Sequence, residues 1–313
     1  MIMHEVIMLC GFPSSGKSTV AQPFIDEGWV YLNRDTEGGK VSSLVPKMVE
    51  ALKDCPVVLD NTFITAEMRK PFIDACKELG HSIRCIKMGT SLEDASFNSC
   101  IRMINKYGKV LTNDEIKKAK SPNTFPIAAL FSARKRWEEP SKDEGFSSVI
   151  EKPFVRTWGS EYINKALILD YDGTLRDTIS DEKYPRSPDD IMILKGRKEK
   201  LQEYIDNGYT LLGVSNQSGI GSGKVSEEDV VACFERTNEL LGHSIDYRYC
   251  AHRAGPGGCY CRKPQVGHGC ELIVQYKLNP SQCVFVGDMT SDKTFAKRCG
   301  FQFQKANKFF GDK

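Results

Sequence analysis

Four groups of residues in this chain have the types and spacing of reaction machinery. Near the start, Gly11-Phe-Pro-Ser14-Ser15-Gly16-Lys17-Ser18 fits G-x-x-x-x-G-K-[ST]. Glycines there let backbone N–H groups curl around a phosphate at a helix N-terminus, Lys17 reaches the terminal phosphates, and the Ser18 hydroxyl can ligate Mg²⁺. Gly11, Ser14, Ser15, Gly16, Lys17, Ser18 and Thr19 are the expected nucleotide-binding residues, with ATP and Mg²⁺ as expected cofactors. A second group, Asn33-Arg34-Asp35-Thr36 and Asp60-Asn61-Thr62, follows two apolar runs. Carboxylates at the ends of parallel strands face the ligand crevice, so Asp35 is a candidate base for an acceptor hydroxyl. Asp60 can orient Mg²⁺-bound water, hold Arg34, or hold the acceptor; Arg34 and Asp60 are candidate substrate-binding residues.

The third group opens with Leu167-Ile-Leu-Asp170-Tyr-Asp172-Gly-Thr174-Leu175. Two carboxylates spaced i, i+2 at a strand end point the same way and can share one Mg²⁺ and one phosphate. Charges that close repel unless a cation intervenes or one group is protonated, which suits a nucleophile beside an acid. Ser215, Lys263, Asp288 and Asp292 follow downstream, each at or just after an apolar strand or in Cys261-Arg262-Lys263-Pro264. The fourth group is Cys250-Ala-His252 and Cys259-Tyr-Cys261. Three thiolates and one imidazole make a closed tetrahedral set for structural Zn²⁺, stiffening the loop that delivers Arg262 and Lys263.

Short apolar runs must position these groups. Strand-like runs are Val6–Cys10, Trp29–Leu32, Val57–Asp60 and Ile83–Met88, then Ala166–Asp170, Tyr209–Ser215, Ile245–Cys250 and Cys283–Gly287. Helical patterns lie between them, such as Thr19–Glu27, Ala66–Leu79 and Glu227–Leu241, the last capped by Ser226 with acids in its first turn. This alternation predicts α/β architecture: two domains, each a mostly parallel sheet flanked by helices. The pattern breaks between Trp137 and Asn164, which places the domains at 1–157 and 158–313, with the zinc loop at 250–261.

Composition is ordinary: 313 residues, 40% hydrophobic, 27% charged, net charge +2. That excludes a disordered, collagen-like or strongly basic chain. No apolar run approaches the roughly 18 residues of a membrane span, and Met1–Glu5 lacks the basic region of a signal peptide. Most of the 12 cysteines sit singly in apolar segments, so reduced thiols and an intracellular, cytoplasmic or nuclear location are expected.

The phosphate loop, Asn33-Arg34-Asp35-Thr36, Val58-Leu59-Asp60-Asn61-Thr62 and Glu144-Gly-Phe146 to Pro153-Phe154 together resemble the kinase domain of polynucleotide kinase/phosphatases. That resemblance implies that Asp35 activates a 5′-hydroxyl of nucleic acid, and that a lid arginine, matched here by Arg102, stabilises the transferring phosphoryl group. The Asp170–Asp172, Ser215, Lys263 and Asp288–Asp292 groups, in that order, resemble the four motifs of the haloacid dehalogenase superfamily. The implied roles are Asp170 as nucleophile, Asp172 as acid and base, and Ser215 and Lys263 as phosphate holders. Mg²⁺ is implied on Asp170, the Asp172 backbone carbonyl and Asp288, with Asp292 assisting. The zinc loop with Ser215-Asn216-Gln217 before it resembles histidinol-phosphate and heptose-bisphosphate phosphatases, where Asn216 and Arg262 are candidate substrate contacts. The expected function is therefore nucleic-acid end healing on DNA or RNA ends, by a 5′-kinase and a 3′-phosphatase. The alternative is a small-molecule kinase fused to a sugar-phosphate type phosphatase.

Overall fold

The structure is a computed structural model that describes residues 3–255 and 258–312. Residues 256 and 257 of the predicted zinc loop, and the first two residues of the stretch read for a signal peptide, lie outside the described residues. Contacts divide the chain into two compact units: Met1–Ser99 with Ile116–Arg156, and Cys100–Glu115 with Thr157–Lys313. Among the described residues no helix is long and apolar enough to cross a membrane.

The first half runs β1 (Glu5–Cys10), α1 (Lys17–Asp26), β2 (Val30–Leu32), α2 (Arg34–Glu37), α3 (Leu44–Ala51), β3 (Val57–Asp60), α4 (Ala66–Leu79), β4 (Ser82–Met88), α5 (Leu92–Tyr107), α6 (Asn113–Ala119), α7 (Ile127–Lys135) and β5 (Ser148–Lys152). Its sheet has the order β2-β3-β1-β4-β5, with every pair parallel. Alternate residues of β1 serve opposite cores, as a strand's two-residue period requires. Val6, Met8 and Cys10 pack with Leu44, Met48 and Phe72, whereas Ile7 and Leu9 pack with Ala21 of α1. Burial on both faces is why β1 reads as an unbroken apolar run. Helix α4 starts where the Thr65 hydroxyl accepts from Met68 N–H and stops at Gly80, which is left-handed at φ 75°.

The second half runs β6 (Ala166–Leu169), β7 (Arg176–Thr178), β8 (Ile191–Ile193), α8 (Arg197–Asp206), β9 (Thr210–Asn216), α9 (Ser218–Gly221), α10 (Glu227–Leu241), β10 (Asp246–Cys250), α11 (Gly267–Tyr276), β11 (Val284–Gly287), α12 (Thr290–Cys299), β12 (Gln302–Lys305) and α13 (Ala306–Phe310). Its main sheet has the order β10-β9-β6-β11-β12, again all parallel, and β7 and β8 form a separate antiparallel hairpin. Leu167, Leu169, Val284 and Val286 pack with Leu201, Phe234 and Phe309 on one face. On the other face Phe285 meets Phe295 of α12 edge-on, with ring centroids 5.1 Å apart.

The stretch read as a break between Trp137 and Asn164 carries β5. This is an edge strand whose last three residues are exposed, so it shows none of the alternation that marks a half-buried strand.

Candidate active sites

In the first unit, the chain leaves β1 at Gly11, where a Cβ would meet Ser15 Oγ at 2.7 Å and Met88 Cβ at 2.8 Å, so only glycine fits. Ser14 is held at φ 61°, a left-handed conformation unfavourable for a residue with a side chain. Three clamps hold it there: Asn98 Nδ2 donates to the Ser14 carbonyl (2.9 Å), Ser99 Oγ donates to Ser14 Oγ (2.9 Å), and Thr90 Oγ1 donates to the Ser15 carbonyl (2.7 Å). Arg156 in turn fixes Asn98, donating to its Oδ1 at 2.8 Å while its guanidinium lies 4.0 Å from the Phe97 ring centroid. Lys17 is buried and folds over the loop, its Nζ donating to the carbonyls of Phe12 (2.8 Å) and Gly11 (3.2 Å). The result is a rigid loop opening α1, with Ser18 and Thr19 exposed in its first turn.

On the acceptor side, Arg34 Nη2 donates to Asp35 Oδ1 at 2.6 Å, and the Asn33 side chain caps α2 by accepting from Asp35 N–H at 2.7 Å. Asp60 is buried at the end of β3 and accepts from the Tyr31 hydroxyl at 2.8 Å. Burial and the neighbouring Asp60 push the Tyr31 phenol up to about 12, which keeps it a donor at neutral pH. Arg102 falls in the stretch Cys100–Glu115, which groups with the second unit, whereas the phosphate loop belongs to the first.

In the second unit, parallel pairing brings the ends of β9, β6 and β11 side by side, and with them Ser215, Asp170 and Asp288. Lys263 reaches beneath them. Its Nζ lies 2.8 Å from Asp170 Oδ1 and 2.8 Å from Asp292 Oδ1, and donates to the Val214 carbonyl at 2.7 Å. Asn216 holds the Lys263 backbone from both sides, accepting from its N–H (2.9 Å) and donating to its carbonyl (3.1 Å). Ligand atoms of Asp170, Asp288 and Asp292 lie within 4.8 Å of one another. Burial pushes the Asp170 carboxyl up to about 7 against the pull of Lys263, and burial and Asp292 raise Asp288 too. Asp288 Oδ1 is buried without a partner among the described residues, and at Gly173 a Cβ would come within 2.9 Å of Asp288 Oδ2. Three crowded carboxylates against one ammonium, with an orphaned oxygen among them, fit a hard divalent cation such as Mg²⁺.

Asp172 has a different set of partners. The buried Arg176 donates Nε–H to Asp172 Oδ1 at 2.8 Å, and Gln217 donates to Asp172 Oδ2 and to Ser215 Oγ, both at 2.9 Å. Arg176 is itself fixed by the Cys233 carbonyl and Thr237 Oγ1. Arg262 lines a cavity of about 440 Å³ with Lys263, Arg253 and Asn113, and its Nη1 is buried without a partner among the described residues.

Cys250, His252, Cys259 and Cys261 converge, and five of their six donor separations lie between 3.2 and 3.6 Å, through His252 Nδ1 and the three Sγ atoms. Tetrahedral Zn²⁺ with bonds of about 2.0–2.3 Å has edges of roughly 3.3–3.8 Å, so the four donors fit it. Mutual hydrogen bonding among the sulfurs lowers the Cys259 thiol and raises Cys250 and Cys261.

Sequence reasoning did not find Tyr31, Arg176, or Gln217 as a partner of Asp172. Tyr31 and Arg176 belong to no motif, and Gln217, though it follows Ser215-Asn216, reaches Asp172 only through the fold.

The family model for polynucleotide kinase 3 phosphatase matches residues 165–310. That match spans 146 of the 313 residues and takes in Asp170, Asp172, Ser215, Lys263 and Asp288. With the phosphate-loop unit ahead of it, the chain has the organisation of a polynucleotide-kinase-type kinase–phosphatase fusion. It is 38% identical over 153 residues to a bifunctional polynucleotide phosphatase/kinase of Schizosaccharomyces pombe, covering 48% of this chain but only 34% of that protein. It is 34% identical over 146 residues to a probable D-glycero-D-manno-heptose-1,7-bisphosphate 7-phosphatase of Thermoplasma volcanium, covering 45% of this chain and 97% of that protein. A Haemophilus influenzae D-glycero-beta-D-manno-heptose-1,7-bisphosphate 7-phosphatase is also 34% identical, covering 42% of this chain and 74% of that one.

Proposed function

We propose that the chain heals nucleic-acid ends, phosphorylating 5′-hydroxyls with ATP at the N-terminal site and removing 3′-phosphates at the C-terminal site. The observation that carries the reading is the Asp170–Lys263–Asp292 cluster, set in the stretch that the polynucleotide kinase 3 phosphatase model matches, behind a rigid phosphate loop. At the C-terminal site, Asp170 attacks phosphorus and an aspartyl-phosphate forms as the P–O bond to the 3′-oxygen breaks. Asp172 gives its proton to that oxygen, then takes one from the water that releases phosphate and restores Asp170. Gln217, shared between Asp172 and Ser215, is the donor that can let go of Asp172 when phosphate binds Ser215. Lys263 holds the nucleophile in place, and the unpaired Arg262 Nη1 supplies a contact to the substrate beyond the reacting phosphate. Asp170, Asp288 and the Asp172 carbonyl, with Asp292 assisting, would hold Mg²⁺, which would supply charge neutralisation for the phosphoryl oxygens.

At the N-terminal site, Lys17 and the loop N–H groups hold the β- and γ-phosphates, with Ser18 placed to hold Mg²⁺. Asp35 takes the proton of the acceptor hydroxyl as its oxygen attacks the γ-phosphorus and ADP leaves. Arg34, paired with Asp35 in this structure, then has the acceptor as its partner. Arg102 is the residue that the kinase resemblance matches to the arginine stabilising the transferring phosphoryl group. Zn²⁺ on the Cys₃His set is structural in this reading and stiffens the loop before Arg262.

The zinc cluster and the 97% coverage of the archaeal relative favour a second reading, a phosphatase for small sugar phosphates. Side-by-side turnover of a 3′-phosphorylated oligonucleotide, histidinol phosphate and a heptose bisphosphate separates them. The proposal requires the oligonucleotide to have the highest kcat/KM. Turnover of the sugar phosphate alone overturns it.

A further inference from the structure

Tyr31 belongs to no motif, yet its hydroxyl sits where two of them meet. It donates to Asp60 Oδ2 at 2.8 Å and accepts from Asn33 Nδ2 at 3.0 Å. Asn33 continues the chain on its far side, its Oδ1 accepting from the backbone N–H of Asp35 at 2.7 Å. A second link runs parallel, with Arg34 N–H donating to Asn61 Oδ1 at 3.3 Å. The line is thus Asp60, Tyr31, Asn33, Asp35, from a fully buried carboxylate at the end of β3 to the backbone of the candidate base.

The elements explain why a relay is needed. Helix α2 has only four residues, Arg34–Glu37, too few to hold its own orientation. Strands β2 and β3 pair in register at Leu32 and Leu59, so the residues just beyond them, Asn33 and Asp60, leave the sheet side by side. Tyr31 lies on the exit path of β2 and its ring packs in the core beneath α1 with Ile7, Leu9 and Val58. A ring anchored in the core and a hydroxyl reaching the crevice can tie the acceptor turn to the sheet and to the helix that begins with the phosphate loop.

We propose that Tyr31 is a positioning residue for phosphoryl transfer: through Asp60 and Asn33 it sets Asp35 in place relative to the phosphate loop. The bland account is that Tyr31 only satisfies a buried Asp60. That account leaves the Asn33 contact without a purpose, and predicts a loss of stability with no selective effect on turnover. The proposal rests on the kinase reading above.

The test compares the parent chain with Tyr31→Phe and with Asn33→Ser, using ATP, Mg²⁺ and an oligonucleotide with a 5′-hydroxyl. Tyr31→Phe keeps the ring and removes the hydroxyl. Asn33→Ser keeps an oxygen able to cap α2 but lacks the amide donor. Losing one hydrogen bond to a charged group at the reacting centre corresponds to a fall in kcat on the order of 10-fold to 100-fold. Both variants should show that fall, with KM for ATP within about twofold of the parent and 3′-phosphatase turnover unchanged. If Tyr31→Phe does not fold, Asn33→Ser alone decides. A parent that phosphorylates the oligonucleotide, with variants whose kcat stays within about twofold, overturns the relay and leaves the kinase reading standing. Variants whose loss lies in KM for ATP alone also overturn it. A parent with no kinase activity overturns the kinase reading, and the relay with it.

Discussion

Replacing Lys263 with methionine removes one buried charge and keeps most of the volume. The ammonium is 2% exposed and lies 2.8 Å from each of two carboxylates, Asp170 and Asp292. Breaking a buried pair by removing one partner costs about 3–5 kcal/mol, because the partner left behind stays desolvated without its counter-charge. At about 2–4 °C per kcal/mol for a unit of this size, Lys263→Met should lower the melting temperature by roughly 6–20 °C in EDTA. Mg²⁺ should restore part of the loss by neutralising the same carboxylates. Adding Asp292→Asn should recover part of it as well, since the orphaned charge is then removed too. The assay is scanning calorimetry with and without Mg²⁺, beside the two activities: phosphatase turnover should fall at least about 100-fold and kinase turnover should hold. A melting temperature within about 2 °C of the parent in EDTA would refute the reasoning. So would a double variant less stable than Lys263→Met.

Three further outcomes are expected. The Asp170 carboxyl is raised to about 7, so below that pH it carries a proton that Mg²⁺ must displace; Mg²⁺ affinity should therefore rise by up to about tenfold per pH unit up to pH ~7 and level off above it. Calorimetric titration at pH 5.5, 6.5 and 7.5 checks this, and a flat affinity would contradict it. Metal analysis should find about one Zn²⁺ per chain, and Cys261→Ser should lose it along with phosphatase stability; a zinc-free chain with full stability would contradict the closed-site reading. Arg176→Met leaves Asp172 Oδ1 without its donor, so phosphatase turnover should fall up to the ~100-fold that a positioned acid contributes, with Arg176→Lys recovering part of it; equal loss in both variants would contradict the orienting role.

Much of both sites is legible in the sequence because their chemistry is carried by short spacings. The phosphate loop spans eight consecutive residues, the Asp170–Asp172 pair is i, i+2, and the zinc donors come as C-x-H and C-x-C. Helices α4 and α10 are legible end to end because Thr65 and Ser226 cap their starts and Gly80 and Gly242 their ends. What sequence hides is what long-range packing sets. Arg176 pairs with Asp172 from a guanidinium whose Nη1 is held by the Cys233 carbonyl and Thr237, about 60 residues on. Asn98 clamps Ser14 across 84 residues. Strand β5 escapes the eye because an exposed edge strand carries no apolar alternation, and the grouping of Cys100–Glu115 with the second unit leaves no local mark at all.

The most direct test of the two-site account uses one oligonucleotide bearing a 5′-hydroxyl and a 3′-phosphate, given with ATP and Mg²⁺ to the parent, Lys17→Ala and Asp170→Asn. The account predicts that the parent modifies both ends, Lys17→Ala only removes the 3′-phosphate, and Asp170→Asn only phosphorylates the 5′ end. Loss of both activities in either variant, or two untouched ends with the parent, would contradict it.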